Sequence, residues 1–315
     1  MVGYSSWWGK RGLPLALSLI VGALAAAPAR GAQCGMSLSF QQTDGNAHGG
    51  RTAVWADPQS ASLLFVEALN VNTDGTRRSY RVDDFWGERV ALNNLCNAMS
   101  DACANLSNAQ LRARRIATEQ ASAAGWPAAQ LQATRISSSI IPFRNGKPCP
   151  AVDGFLVSAT ALHEPGMSDA CDIGNYVDAL LTPALVIPKA PSPFAARAKV
   201  GDLAVTMVPG TNRVVFAVVG DSGPSRQLGE ASIALNGKLL GREGLPQNYL
   251  EVRGKPPFLG RGWTVPRAAV LIFPGTRDTQ QPFMTPERID AAARARFEQW
   301  GGVERLSKCV GDYSS

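Results

Sequence analysis

The residues of this chain best suited to chemistry lie in 214–241, VVFAVVGDSGPSRQLGEASIALNGKLLG. An apolar strand ends in Gly220-Asp221, and Ser222-Gly223-Pro224 turns the chain. Glu230 stands nine residues after Asp221 and precedes a second patterned segment, 233–240. If the chain folds back at Gly223-Pro224, both carboxyls reach one rim. Hydrolysis of a glycosidic bond uses such a pair. One carboxyl protonates the leaving oxygen; the other attacks, or activates water. Asp221 ends an apolar strand, where burial raises its pKa and suits the acid. Glu230 follows a Gly-rich loop, where solvation suits the base. Spacing alone leaves a plainer use open: an Asp that caps a turn and a Glu that is merely exposed.

Other chemistries fit less well. A trypsin-like nucleophile motif needs a second Gly after the Ser, with a His and an Asp well upstream. Here His163 lies only 59 residues before Ser222. An aspartic peptidase needs two Asp loops sharing a proton, and the sequence offers one. The chain has two histidines and no C-x-x-C, so no metal site and no cofactor are expected. His48 sits in a Gly-rich loop and His163 reads as a surface turn.

The elements that must position the pair are mostly strands. Apolar, β-branched runs at 154–162, 184–188, 204–208 and 214–219 alternate with turn residues. Leu63-Leu64-Phe65-Val66 and 268–273 read as further buried strands. Strands so closely spaced, without long helices between them, predict a small barrel rather than a βαβ sheet. A helix is expected over 107–124, ended by Gly125-Trp126-Pro127. A second follows a Thr285 cap and Pro286, with Ile289, Ala293, Phe297 and Trp300 on its core face and Gly301-Gly302 as its stop. The expected fold class is mainly β with accessory helices (α+β). At its centre is a small six-stranded, double-psi-like β-barrel. The expected organisation is an export signal at 1–31 and an N-terminal part at 32–150 packed on the core with a helical insertion. A barrel core at 151–275 and a C-terminal helix at 276–315 complete the same domain.

Composition narrows the setting. Lys10 and Arg11 precede an uncharged apolar run, 13–27, and small residues follow. This is the pattern of a cleaved export signal, too short for a bilayer span. No later segment is apolar enough to span, so no membrane partner is expected once the signal is removed. A secreted or periplasmic location and a monomer are expected. Three of the 31 basic residues (Lys10, Arg11, Arg30) fall in 1–31, leaving 28 against 25 acidic ones, a net charge of +3. That is too weak for a nucleic-acid partner. Cys34, Cys96, Cys103, Cys149, Cys171 and Cys309 are an even set, and in an exported chain they predict three disulfides. Six cysteines allow 15 pairings; local spacing favours Cys96 with Cys103 and Cys149 with Cys171.

Several motifs, in order, resemble one family. Gly220-Asp221-Ser222-Gly223-Pro224 followed by Leu228-Gly229-Glu230-Ala231-Ser232 resembles glycoside hydrolase family 75, the fungal-type chitosanases. Asp153-Gly154-Phe155-Leu156-Val157-Ser158-Ala159-Thr160-Ala161-Leu162 looks like its D-G-x-x-V-S-x-T-x-L segment. Tyr176-Val177-Asp178 with Thr182-Pro183-Ala184-Leu185-Val186-Ile187-Pro188 looks like its Y-x-D and I-P-x-x-V-x-P elements. Val200-Gly201-Asp202-Leu203-Ala204-Val205 looks like its G-D-x-A-V strand. Phe273-Pro274-Gly275 also fits, and Asp74-Gly75 with Tyr80 resembles a shared D-G-x-x-x-x-Y element. The likeness spans roughly residues 62–275. It implies that Asp221 and Glu230 are the catalytic pair of an inverting endo-glycosidase acting on chitosan, a β-1,4-linked amino-sugar polymer. It makes Tyr176, Asp178, Asp202 and Ser222 candidates for binding that substrate. The 107–124 helix and the terminal cysteines depart from the fungal pattern.

A shorter likeness, in the strand, D-x-G-P and S-x-x-x-L pattern, is to the double-psi barrels of rare lipoprotein A and lytic transglycosylases. It points to peptidoglycan, another amino-sugar polymer. A non-catalytic wall-binding barrel is the third reading. Residues 151–250 hold nine acidic and seven basic side chains, a balance of −2. This suits a cationic polymer without demanding one.

Overall fold

The apolar runs of the sequence become strands of one sheet that closes on itself. The structure is a computed structural model that describes residues 34–313 apart from 46, 48 and 60. The expected export signal and His48 lie outside the described residues. In chain order the elements begin with β1 (Ser37–Thr43), β2 (Arg51–Asp57), β3 (Ser62–Asn72), α1 (Asn108–Ala123) and α2 (Ala128–Thr134). Next come the small hairpin β4 (Phe143–Arg144) and β5 (Lys147–Pro148), then β6 (Ala184–Pro188), α3 (Pro193–Arg197), β7 (Leu203–Met207), β8 (Val214–Gly223) and β9 (Glu230–Ser232). The chain ends with α4 (Ile233–Leu240), α5 (Tyr249–Val252), β10 (Val265–Phe273), α6 (Pro286–Trp300) and α7 (Gly302–Tyr313).

The barrel runs β3-β10-β7-β8-β6-β9, and β9 returns to pair with the end of β3. It is therefore a closed, mixed, six-stranded barrel, with β3–β9 and β6–β8 parallel. Because β3 is 11 residues long, its first part pairs with β2 and β10 while Asn70 to Asn72 pair with β9. β1 and β2 extend the sheet beyond the closure.

Side-chain alternation along each strand makes two cores. Leu63, Phe65, Leu185, Ile187, Ala217, Val219, Ala231, Val270 and Ile272 point into the barrel, and Leu235 and Leu239 of α4 join them. The alternate residues Leu64, Val205, Phe216, Leu271 and Phe273 point outward under α6 and α7, against Ala293, Phe297, Trp300 and Leu306. Each large side chain so buried stabilises by about 1.5–3 kcal/mol relative to exposure. The Thr285 cap, Pro286 start and Ile289, Ala293, Phe297, Trp300 face of α6 are as expected. α1 carries a capping box between Ser107 and Gln110.

Three disulfides form: Cys34–Cys309, Cys96–Cys103 and Cys149–Cys171. The two local pairs are those that spacing favoured. Among the described residues no helix is long and apolar enough to cross a membrane.

The fold departs from the sequence reading, or adds to it, at four points. Residues 154–162 are not a strand. Asp153 and Gly154 take positive φ, and the segment makes only isolated bridges, such as Leu156 with Tyr80. The hydroxyls of Ser158 and Thr160 accept the backbone N–H groups of Gly75 and Val177 instead. The patterned segment 233–240 is a helix, capped by Ser232 and ended by Gly241. The barrel takes β3 from the stretch before residue 150. β1, β2 and α7 had no counterpart in the sequence reading.

Candidate active site

β8 is buried from Val215 to Gly220 and then surfaces. Its register with β6 slips by one residue: Leu185 faces Val219, and Val186 faces Asp221. The bulge at Gly220 turns Asp221 to the outer face, where Val186 lies. On the other side of β6, Val186 is paired with Glu230 of β9. Glu230 is in turn opposite Asn70 of β3. Residues directly opposite in a ladder share a face. The two carboxylates therefore stand on one face with a single valine between them, two strand spacings or about 10 Å apart at the backbone.

A third carboxyl joins them. β3 ends at Asn72, whose side chain accepts the Asp74 N–H at 2.8 Å. Asp74, Asn72, Thr160, Val177, Asp221 and Ser232 border one narrow cavity of about 10 Å³, space for the centre of one water. Glycines adjoin two of the acids for steric reasons. Gly75 has φ of +83°, and a Cβ there would meet the Val177 carbonyl at 1.9 Å. Gly229 has φ of +80°, and a Cβ would meet the Ala68 carbonyl at 2.2 Å. Only glycine fits either turn.

The environments of the three acids differ. Asp221 Oδ1 accepts the backbone N–H of Ala161 at 2.9 Å and of Ser222 at 2.8 Å. Burial raises its pKa to about 6, and these two bonds, with one from the Asn72 side chain, hold it from going higher. Glu230 is pushed up to about 7 by burial and then by repulsion from Asp221, against the opposing pull of Arg253. Asp74 is pushed up to about 8, by burial first and Asp221 second, with a bond from Tyr80 working the other way. Each of the three residues is half-buried as a whole, while burial is the largest influence on its carboxyl. Among the described residues, no set of three or more His, Cys, Asp or Glu side chains is arranged to hold a metal ion.

The other residues singled out in the sequence divide. Ser222 is in the site through its N–H on Asp221, and it is half-buried beside Ile187 of β6. Asp178 flanks the crevice on the loop that carries Val177. It accepts the Leu180 N–H and a bond from Thr76, and burial raises its pKa. Tyr176 turns elsewhere: its buried phenol donates to the Ala170 carbonyl at 2.9 Å, packed with Cys149 and Ile173. Asp202 is fully buried. Its carboxylate accepts the N–H groups of Lys199, Gly275, Thr276 and Arg277, which ties β7 to the loop after β10. Neither Tyr176 nor Asp202 lines the crevice, and backbone groups take their polar atoms: the Ala170 carbonyl for Tyr176, and N–H groups at 199 and 275–277 for Asp202. His163 is exposed, with Nδ1 on the Glu164 carbonyl. Sequence reading gave Asp74 and Tyr80 no role and passed over Asn72; the D-G-x-x-x-x-Y element was their only trace.

A larger cavity, about 540 Å³, lies at the start of β8 and is lined by Arg213, Phe216, Asp290 and Arg294 among others. Arg294 there pairs with Asp290 at 3.0 Å and covers the Phe216 ring. The cavity lining holds none of the three acids grouped around Val186 and the end of β3. No family model matches the chain, and no curated protein matches it.

Proposed function

We propose that the chain is an exported endo-glycosidase that hydrolyses a β-1,4-linked amino-sugar polymer, chitosan first, by inversion with two carboxyls. The observation that carries this reading is the pair flanking Val186: two carboxyls on one face, in different electrostatic settings. About 10 Å between their backbones suits an inverting pair, whose carboxyls stand roughly 6.5–9.5 Å apart to admit water. The motif likeness to family 75 chitosanases supports the polymer class. Three disulfides suit an oxidising compartment.

The hydrogen bonds favour roles opposite to those drawn from strand burial. Asp221 ionises first, because two backbone N–H groups and Asn72 stabilise its charge. It then acts as the base that takes a proton from water. Glu230 has no such hydrogen-bond donor among the described residues and feels the Asp221 charge, so it keeps its proton to higher pH. It acts as the acid that protonates the leaving oxygen. Water attacks the anomeric carbon from the Asp221 side as the glycosidic bond breaks. One proton goes to Asp221 and one leaves Glu230, and solvent restores both.

Reducing-end release from purified chitosan and from peptidoglycan tests the reading. Release from chitosan with the inverted anomer, seen by proton NMR at early times, is the expected result. Release from peptidoglycan alone would make the second amino-sugar polymer the substrate. Binding without release from either would make the chain a wall-binding barrel.

A further inference from the structure

Asp74 is the one acid of the site that the two-carboxylate mechanism does not use. It is also the one whose surroundings are most specific. Its Oδ1 is buried from bulk solvent and has no hydrogen-bond partner among the described residues. Tyr80 hydrogen-bonds the same carboxyl. The direction of that bond is set from behind: Asn93 Nδ2 donates to Tyr80 Oη at 3.1 Å, which leaves the phenol proton for Asp74. The same Asn93 amide also donates to Thr73 Oγ1 at 3.0 Å. Tyr80 is 1% exposed, so this relay has no slack. An ionised carboxylate with one oxygen buried and unpartnered is costly. A neutral acid removes the cost of a buried charge, and an Oδ1 that carries the proton becomes a donor in need of an acceptor.

The cavity beside Asp74 is where that donor can find an acceptor. Asp74 and Asp221 border the same space, which has room for one water. We propose that Asp74 is a positioning residue held as the neutral acid, donating through Oδ1–H across this cavity toward Asp221 and orienting the base. The groups acting on Asp74 agree: Asp221 and Glu230, from β8 and β9, both oppose its charge, and only Tyr80 favours it. Arg253 faces Glu230 and Arg77 faces Asp178. With a pKa near 8, Asp74 keeps its proton throughout the range in which Asp221 ionises. The orienting role rests on the two-carboxylate reading; the protonation state does not.

Two experiments separate these. First, ¹³C-carboxyl labelling of aspartate in the full protein gives a titration by NMR. One aspartic acid resonance should persist above pH 7 and vanish in Asp74→Asn. It should titrate lower in Asp221→Asn, which removes a repulsion, and higher in Tyr80→Phe, which removes the bond to the ionised form. Second, turnover should survive Asp74→Asn within about tenfold, since the amide still donates. It should fall about a hundredfold or more in Asp74→Ala. Thermal unfolding shows that each variant is folded. Asp74 ionised at pH 7 in an active hydrolase would overturn this proposal alone. So would an Asn variant as damaged as Asp221→Asn, or an Ala variant with full turnover. A protonated Asp74 in a protein that cleaves no amino-sugar polymer would remove the glycosidase reading and leave the neutral donor standing.

Discussion

Asp221 and Glu230 are both paired with Val186, one from each side of β6. They meet because β6 runs between β8 and β9, and the bulge at Gly220 puts Asp221 on the same face as Glu230. The catalytic reading depends on this single valine rung.

Asp221→Asn and Glu230→Gln keep shape and remove proton chemistry. Each is expected to lower turnover by about 10²–10⁴-fold while polymer binding persists. Initial rates of reducing-end release, with binding measured by calorimetry, decide it. Near-full rate in either variant on every polymer tried would end the two-carboxylate mechanism.

The pH profile should be bell-shaped and narrow. Asp221, near 6, must be ionised; Glu230, near 7, must be protonated. Activity therefore rises as pH passes about 6 and falls beyond about 7. The two limbs belong to the coupled pair rather than to single groups. Measuring kcat/KM from pH 4 to 9 checks this. A flat profile over that range, with intact protein, would contradict the pair.

Stability should move with pH in the direction set by raised carboxyl pKa values. An acid that titrates near 4 when unfolded and near 8 when folded binds more protons in the native state between those values. Stability from Asp74 is thus full below about pH 4 and declines as pH rises toward 8. Asp74→Asn should therefore gain relative to the parent between pH 4 and pH 8, by at least about 2 kcal/mol or about 5 °C in Tm. Melting curves at both pH values measure the difference; an equal effect at the two would refute the shift.

Ser232 should matter to stability and rate together. Its hydroxyl accepts the N–H groups of Ala184 and Leu235 and donates to the Thr182 carbonyl. It thus caps α4 and ties β9 to β6 two residues from Glu230. Ser232→Ala leaves buried backbone groups unpaired, at a cost of about 1–3 kcal/mol. Unfolding in urea and turnover at pH 6.5 should both decline; a neutral substitution would show that the tie is dispensable.

All six cysteines should be oxidised. Cys34–Cys309 closes a separation of 275 residues. The chain-entropy model gives such a loop on the order of 5 kcal/mol. Mass spectrometry of the unreduced protein should find no alkylatable thiol, and reduction should lower Tm steeply. Two free thiols in the native protein would contradict the pairing.

By itself the sequence determined what depends on neighbours along the chain. Apolar runs between turn residues specified five of the six barrel strands, β9 being the exception. Thr285 and Pro286 specified the start of α6, and spacing specified the two short disulfides. The Asp221 to Glu230 segment was also legible, because strand, turn and both acids lie within one short stretch. What the sequence left open depended on partners far along the chain. Residues 154–162 have a strand's composition, but their hydroxyls are committed to loops at 75 and 177, and no local pattern carries that commitment. Tyr176 and Asp202 carry motif-like neighbours, yet a carbonyl in its own loop claims the Tyr176 phenol, and N–H groups more than 70 residues away claim one oxygen of Asp202. The role proposed for Asp74 depends on the end of β3 closing the barrel beside β9 and β8, about 150 residues later. Burial and repulsion among three acids are properties of that closure. Tertiary structure alone set the three acids in different surroundings, and those surroundings separate their proton affinities.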